Sequence, residues 1–147
     1  MSHTESANSR AWLRILELGG DVWLGLVDEE LYVGDFEAPK RQVDVRHPIA
    51  LLPLLEKPRD FIVAEIRDRE IELGFAQGAL TELVPLDALP GVAVSSEMDY
   101  WVWLAMEWLS KTSGNGTRDE LLRIVERSSW ATQKTRHRAV SLRKIQE

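Results

Sequence analysis

The sequence predicts an α+β fold, in which an antiparallel sheet of about five to seven strands over residues 11–95 precedes two or three helices. Short apolar runs separated by turn residues indicate strands in the first part of the chain. All six prolines lie between Pro39 and Pro90, so the last third has no helix-breaking residue. Two helix-capping sequences in that last third indicate where the helices begin.

The composition predicts one globular domain. The chain has 147 residues, of which 44% are apolar and 29% charged, within the usual range for such a domain. We expect residues 1–147 to comprise a flexible segment 1–10, an acidic, β-rich part over 11–95 and a helical part over 97–146. No apolar run approaches the ~18 residues of a membrane span. Met1–Arg10 lacks the apolar core of a signal peptide, so we expect a cytoplasmic protein.

The first three strands form a predicted meander. Two apolar runs, Ala11–Leu18 and Val22–Val27, are separated by a Gly-Gly-Asp turn, and glycine reaches the positive φ of a tight turn at little cost. A charged turn then leads to a third run, Leu31–Phe36. Trp12 and Trp23 fall within this meander, and we expect both to pack in the core.

The next segment predicts a short helix. Pro48 suits the first position of a helix over Ile49–Leu55, and Pro53 limits its length. Further along, Leu80–Val94 predicts a strand, a turn and another strand, because its leucines are spaced between prolines.

Phe61–Arg67 and Glu70–Phe75 form the clearest predicted hairpin, with one apolar and one charged face. This register places Glu65 opposite Glu72. Two carboxylates held close together raise the pKa of one of them, as in a general acid. An exposed hairpin face offers no pocket for such chemistry, so we assign both carboxylates to partner binding instead.

Two capping sequences open the helical part. The Ser-Glu-Met-Asp sequence at 96–99 predicts a helix over about Glu97–Lys111, and the Thr-Arg-Asp-Glu sequence at 117–120 predicts another. No glycine or proline follows the second sequence. Residues 118–145 therefore form either one long helix or two helices with a break at Ser128–Ser129.

The predicted helix 97–111 has two different faces. Trp108 belongs to a broad apolar arc that we expect to lie in the core. Tyr100, Trp103 and Glu107 lie on the other side, and exposed Trp and Tyr are enriched at binding hot spots. We therefore assign these three residues to partner binding. The alternative is that the C-terminal helix covers this face.

Charge is divided unevenly along the chain. Residues 1–116 contain 20 acidic and 10 basic residues, whereas 117–147 contain 4 and 8, and the net charge is −6. Six basic residues cluster near the C-terminus: Lys134, Arg136, His137, Arg138, Arg143 and Lys144. We assign Arg136 and Arg138 to partner binding. A basic helix suits nucleic acid, but an acidic body repels phosphates, and the same helix could instead pair with the acidic part.

The sequence has no catalytic motif. The absence of cysteine excludes a thiol nucleophile, a disulfide scaffold and a cysteine-based zinc site. His3, His47 and His137 match no zinc spacing, and the Gly-Asn-Gly-Thr sequence at 114–117 lacks the lysine of a phosphate-binding loop. We expect no enzymatic activity, no cofactor and no metal.

These features predict a small, acidic protein-binding module, such as a stoichiometric inhibitor, a toxin-immunity protein or an adaptor. The partner would be another protein, and a basic enzyme or toxin suits it because opposite charges accelerate encounter. Nucleic-acid binding through residues 118–144 is the alternative, and a homodimer formed through Trp103 is another. We expect no membrane partner.

Overall fold

The structure is a computed structural model, which describes residues 11–112 and 116–145. It is an antiparallel sheet followed by helices, which confirms the α+β class. The predicted strand number is wrong: the described residues form four strands and six α-helices, because the chain from residue 59 to residue 96 is largely helical. The prediction of a flexible segment 1–10 lies outside the described residues.

The sheet is a meander in which each strand pairs with the next along the chain. Its strands are β1 (Leu13–Gly19), β2 (Val22–Val27), β3 (Glu30–Gly34) and β4 (Pro39–Gln42). The first three are the predicted ones. Gly19 and Gly20 both have positive φ in the turn between β1 and β2, as the glycine pair predicts. β1 and β4 are the two edges of the sheet.

The α-helices follow the sheet in chain order. They are α1 (Arg59–Leu73), α2 (Ala79–Leu83), α3 (Leu89–Ser96), α4 (Asp99–Ser110), α5 (Gly116–Glu126) and α6 (Gln133–Ile145). A 3₁₀ helix, Ile49–Glu56, precedes α1, and a second, Leu86–Ala88, connects α2 to α3. The first of these confirms the predicted short helix, with Pro53 inside it. The gap between α5 and α6 settles the open question in favour of two helices. No helix within the described ranges is both long and apolar enough to cross a membrane.

Helix α1 occupies the segment for which we predicted a hairpin. Ile62, Ile66 and Glu70 recur every four residues, and all three are buried on one face of the helix. A spacing of four satisfies both strand alternation and helical periodicity, so this pattern did not distinguish the two. Pro58 directly precedes the helix, and Gly74 ends it in the left-handed conformation. As a result, Glu65 and Glu72 are not cross-strand neighbours, because they lie two helical turns apart.

The predicted strands in Leu80–Val94 are also wrong, because this segment forms α2, a 3₁₀ turn and most of α3. The prolines of this segment do not prevent helix formation, because Pro85 precedes the 3₁₀ turn and Pro90 lies in the first turn of α3. A proline at the start of a helix removes no hydrogen bond that the helix needs. Of the three leucines spaced by three residues, Leu86 and Leu89 are buried and Leu83 is exposed.

The predicted cap of α4 has a different role. Ser96 Oγ donates to the carbonyl of Ala93 at 2.6 Å and accepts from Met98 N–H at 3.2 Å. Glu97 adopts the left-handed conformation, with φ of 58°. The Ser-Glu-Met-Asp sequence therefore ends α3, and α4 begins at Asp99.

The core has two parts. One face of the sheet, with Leu24, Leu26 and Leu31, packs against α1, α3 and the first 3₁₀ helix. A second cluster joins α4, α5 and α6 through residues such as Val102 and Leu122. The described helices that contact the sheet pack on its inner face, so none of them covers the outer face.

Candidate binding surface

The outer face of the sheet has a cluster of aromatic side chains, in which Phe36 is exposed and Trp23 is half-buried. Side chains alternate along β2, so Trp23 points away from the core that contains Leu24. The ring of Trp23 meets that of Phe36 edge to face, with 5.9 Å between the centroids. The guanidinium carbon of Arg14 lies 3.5 Å from the Phe36 centroid and 5.2 Å from that of Trp23. We call Arg14, Trp23 and Phe36 the aromatic patch.

Trp12 supports this patch from the same face. Its ring lies over Gly25, where an added Cβ would come within 2.7 Å of the ring, so only glycine permits this close approach. Its Nε1–H donates to the carbonyl of Asp35 at 3.0 Å. Trp12 and Trp23 are therefore half-buried on the outer face of the sheet, and their prediction as core residues is wrong.

The loop that carries Phe36 is held by the carboxylate of Asp35. Oδ1 of Asp35 accepts from the backbone N–H groups of Glu37 and Ala38, both at 2.8 Å. The hydrogen bonds from Ala38 and Glu37 hold the pKa of Asp35 below its usual value. This turn presents Phe36 to solvent with 52% of its surface exposed, which is high for a phenylalanine.

A groove runs beside the aromatic patch, between β1 on one side and the first 3₁₀ helix and α1 on the other. It consists of two adjoining hollows of about 310 and 240 Å³, which share Glu17 and Lys57. Its charged side chains are Glu17, Glu56, Lys57, Glu65, Asp68, Arg69 and Glu72. Trp23 also lines the groove, and it lies opposite Glu17 in the pairing of β1 with β2. We call these eight residues the acidic groove.

The helical wall of the acidic groove follows the spacing of α1. Phe61, Glu65, Asp68 and Glu72 lie four, three and four residues apart, so they share one face. Phe61 is 60% exposed at the start of this row. Glu65 and Glu72 thus lie on one surface because they share a helix face, and not because they pair across a hairpin as predicted.

Two cations lie among the carboxylates of the groove. Lys57 Nζ is 3.6 Å from Glu65, and Arg69 Nη1 is 2.7 Å from Glu72. Arg69 also donates from Nε to the carbonyl of Arg14 at 2.6 Å, which ties α1 to β1. Because the carboxylates outnumber these cations, the groove keeps a negative charge.

Tyr100 reaches the same groove from α4. Its hydroxyl donates to Glu56 Oε2 at 2.6 Å, and this hydrogen bond, with burial and the charge of Glu56, raises the pKa of Tyr100. Its ring meets that of Trp101 edge to face at 4.8 Å. Tyr100 therefore holds Glu56 in position at one end of the groove. Three of the predicted partner-binding residues, Glu65, Glu72 and Tyr100, thus lie at or beside one surface.

Trp103, Glu107 and Arg138 form a separate contact between α4 and α6. The Arg138 guanidinium and Lys134 Nζ each lie 4.5 Å from the centroid of Trp103. Arg138 donates to the Trp103 carbonyl at 3.3 Å and to Glu107 Oε1 at 2.8 Å. The C-terminal helix therefore lies against Trp103, which is the alternative that the sequence left open.

Other arginines of the basic segment also have partners within the chain. Arg136 donates to the carbonyls of Ala131 and Ser128, next to the start of α6. Arg143 donates to both carboxylate oxygens of Glu126, and this hydrogen bond holds the pKa of Glu126 below its usual value. Such contacts favour internal pairing over a free phosphate-binding surface. A role of Arg136 or Arg138 in partner binding stays a prediction.

Sequence reasoning missed the aromatic patch and two buried charges. The sequence Trp-Leu-Gly-Leu at 23–26 contained a usable signal, because buried leucines alternate there with residues of the opposite face. Arg118, interpreted as part of a capping sequence, is buried and donates to the carbonyls of Leu109 and Leu142 at 3.0 and 2.9 Å. Glu70, assigned to a charged face, is buried as well.

A second cleft is lined by residues of α1, α4 and α5. Trp108 lines both of its hollows, of about 270 and 280 Å³. Among its charged side chains, Arg59 lies 2.9 Å from Asp87, and Lys111 lies 3.7 Å from Glu107. Over residues 11–112 and 116–145, no three His, Asp or Glu side chains converge as a metal site.

The contact of Trp103 with α6 leads to a prediction for stability. Replacing Trp103 with alanine removes two cation–π contacts and should lower the free energy of unfolding by about 1–2 kcal/mol. Urea denaturation followed by circular dichroism measures this change. In an Arg138→Gln background the loss should be smaller, since one of the two contacts is already absent. Fully additive losses would show that the two side chains are not coupled.

Comparison of the chain with protein-family models, with curated proteins and with solved structures finds no match in any of the three.

Proposed function

We propose that this chain is a non-enzymatic protein-binding module whose contact surface is centred on the aromatic patch. One observation carries the proposal: Phe36 and Trp23 lie together on the outer sheet face, with Arg14 stacked on them. Aromatic residues and arginine are the types most enriched at the centres of protein interfaces. An aromatic cluster held outside the core is therefore better explained by a partner than by folding.

The patch is also organised before any partner binds. The turn at Asp35, the hydrogen bond from Trp12 and the stacking of Arg14 restrain its side chains. Side chains that are already restrained lose less conformational entropy on association, so more of the contact energy appears as affinity. This argument supports binding through the patch as it stands, without rearrangement of the sheet.

The charge of the chain supports a basic protein as the partner. The net charge is −6, and the acidic groove adjoins the patch through Trp23. A negative surface accelerates encounter with a positively charged target, which suits a stoichiometric inhibitor, an immunity protein or an adaptor. The internal pairing of Arg136, Arg138 and Arg143 gives nucleic acid no comparable support.

A crosslinking experiment tests the proposal. A photoreactive phenylalanine analogue at position 36 should give a discrete crosslinked protein in nuclease-treated extract of the source cells. The same analogue at Ile124, an exposed apolar residue on α5, is the matched control and should not give this product. A Trp23→Ala substitution should reduce the yield of the position-36 product at least tenfold. Equal products from both positions, or recovery of nucleic acid alone, would contradict the proposal.

A further inference from the structure

We infer that the acidic groove receives an extended, lysine- or arginine-rich segment of the partner protein, laid along the edge of β1. This inference rests on the proposed function and names the chemistry of the partner. It follows from two independent features of the groove, its strand edge and its charge.

The first feature is the edge position of β1. Within residues 11–112 and 116–145, this strand has a strand neighbour on one side only, and residues from Ile15 to Gly19 line the groove on the other side. Alternate backbone groups of an edge strand point away from the sheet and can pair with an extended chain. At one end of the groove, the Arg14 carbonyl already accepts a hydrogen bond from Arg69 in this direction.

The opposite edge of the sheet, β4, is less suited to pairing with an extended chain. β4 has only four residues, Pro39–Gln42. It begins with a proline, which cannot donate a ladder hydrogen bond, and continues with Lys40 and Arg41. Short, charged, proline-containing edges are the ones that resist pairing with another chain. The two edges therefore differ, and the acidic groove borders the edge at β1.

The second feature is charge complementarity. Five carboxylates and two cations line the groove along the β1 edge. Side chains of an added strand alternate in direction, so one set would face the carboxylate row of α1 and the other would reach Trp23 on the outer face. Lysine or arginine suits both, through ion pairs on one side and a cation–π contact on the other.

The same charges disfavour other occupants. Two copies of this chain paired edge to edge would bring two acidic grooves together, and phosphates of a nucleic acid would meet the same repulsion. Residues 1–10 of the chain contain one arginine and one glutamate, so they offer no comparable positive charge. A basic segment of a different protein is the occupant that the charges fit.

Fluorescence anisotropy with the full chain and labelled twelve-residue peptides tests this inference. The probe alternates lysine with threonine, one control alternates glutamate with threonine, and a second alternates lysine with proline. We expect the lysine–threonine peptide to bind at least tenfold more tightly than either control. The lysine–proline peptide keeps the charge but has only half of the backbone N–H donors, so it isolates the contribution of the strand edge.

Charge reversal locates the site. Asp68→Lys combined with Glu72→Lys should weaken binding of the lysine–threonine peptide at least tenfold. Glu82→Lys combined with Glu120→Lys changes the net charge equally at exposed positions outside the groove, and should weaken binding less than threefold. Amide chemical-shift changes on peptide addition should concentrate in β1 and α1. Circular dichroism of both double variants verifies that each remains folded.

Three results would overturn the inference. They are equal binding of the lysine–proline peptide, equal weakening by the two charge-reversal variants, and self-association of the chain that requires the groove. Failure of the inference is distinguishable from failure of the proposed function. A crosslinked partner at position 36 that persists in the Asp68→Lys/Glu72→Lys variant would leave the protein-binding function standing and remove the groove from it.

Discussion

Replacing Trp108 with alanine is expected to lower the free energy of unfolding by about 3–5 kcal/mol. Trp108 is 3% exposed and belongs to the main core, although it lies on α4 at the boundary with the C-terminal helices. Its Nε1–H donates to the carbonyl of Lys57 at 2.9 Å, so the substitution opens a cavity and also removes the partner of that carbonyl.

Urea denaturation of the wild type and the variant measures this loss. Trp103→Ala is the matched control, because it truncates the same residue type on the same helix at a half-buried position. The loss at Trp108 should exceed the loss at Trp103 by roughly twofold or more. The reverse order would show that the two faces of α4 have been assigned incorrectly.

Replacing Glu70 with glutamine is expected to lower the free energy of unfolding by about 2–4 kcal/mol. Glu70 is 2% exposed, and its carboxylate accepts from the N–H groups of Gly78, Leu80 and Thr81 and from the Thr81 hydroxyl, at 2.8–3.3 Å. It thereby caps α2 from another helix. A glutamine would point an amide N–H₂ group at donors and leave some of them unpaired.

Chemical denaturation at neutral pH measures the cost of this substitution. Glu72→Gln makes the same chemical change on the same helix, at an exposed side chain paired with Arg69. We expect it to change the free energy of unfolding by no more than about 0.5 kcal/mol. Similar losses in the two variants would contradict the role of Glu70 as a buried cap.

The role of Glu70 also depends on pH. Burial raises the pKa of its carboxyl, but the hydrogen bonds from Gly78, Thr81 and Leu80 outweigh burial and hold the pKa below the usual 4.5. A lowered pKa in the folded state means that the unfolded chain binds the proton more tightly. The stabilisation by Glu70 is therefore present above about pH 4.5, and it is lost as the pH falls through the folded-state pKa.

The difference in unfolding free energy between the wild type and Glu70→Gln isolates this dependence from the other carboxylates. It should be constant from about pH 7 to pH 5 and decrease below about pH 4.5. A difference that stays the same down to about pH 3 would show that the carboxyl of Glu70 has the same pKa in the folded and in the unfolded chain.

Part of the proposed binding surface follows from the sequence. The predicted hairpin makes Glu65 and Glu72 neighbours, and they share a surface only because helix spacing brings residues seven apart to one side. The periodicity of the helix predicts Tyr100 as an exposed aromatic residue, and Tyr100 lies beside the groove, where its hydroxyl donates to Glu56. The aromatic patch was missed, because an aromatic residue in a strand is more often a core residue.

By itself, the sequence determined the fold class, the first three strands and the helical last third of the chain. These features depend on turn glycines, on the positions of prolines and on local periodicity, all of which act over a few residues. Only the tertiary structure decided that Phe61–Leu73 is a helix, because a spacing of four fits both kinds of element. Only the tertiary structure paired Arg138 with Glu107 and Tyr100 with Glu56, which are 31 and 44 residues apart. Contacts at such separations depend on how the elements pack, and local patterns carry no information about that.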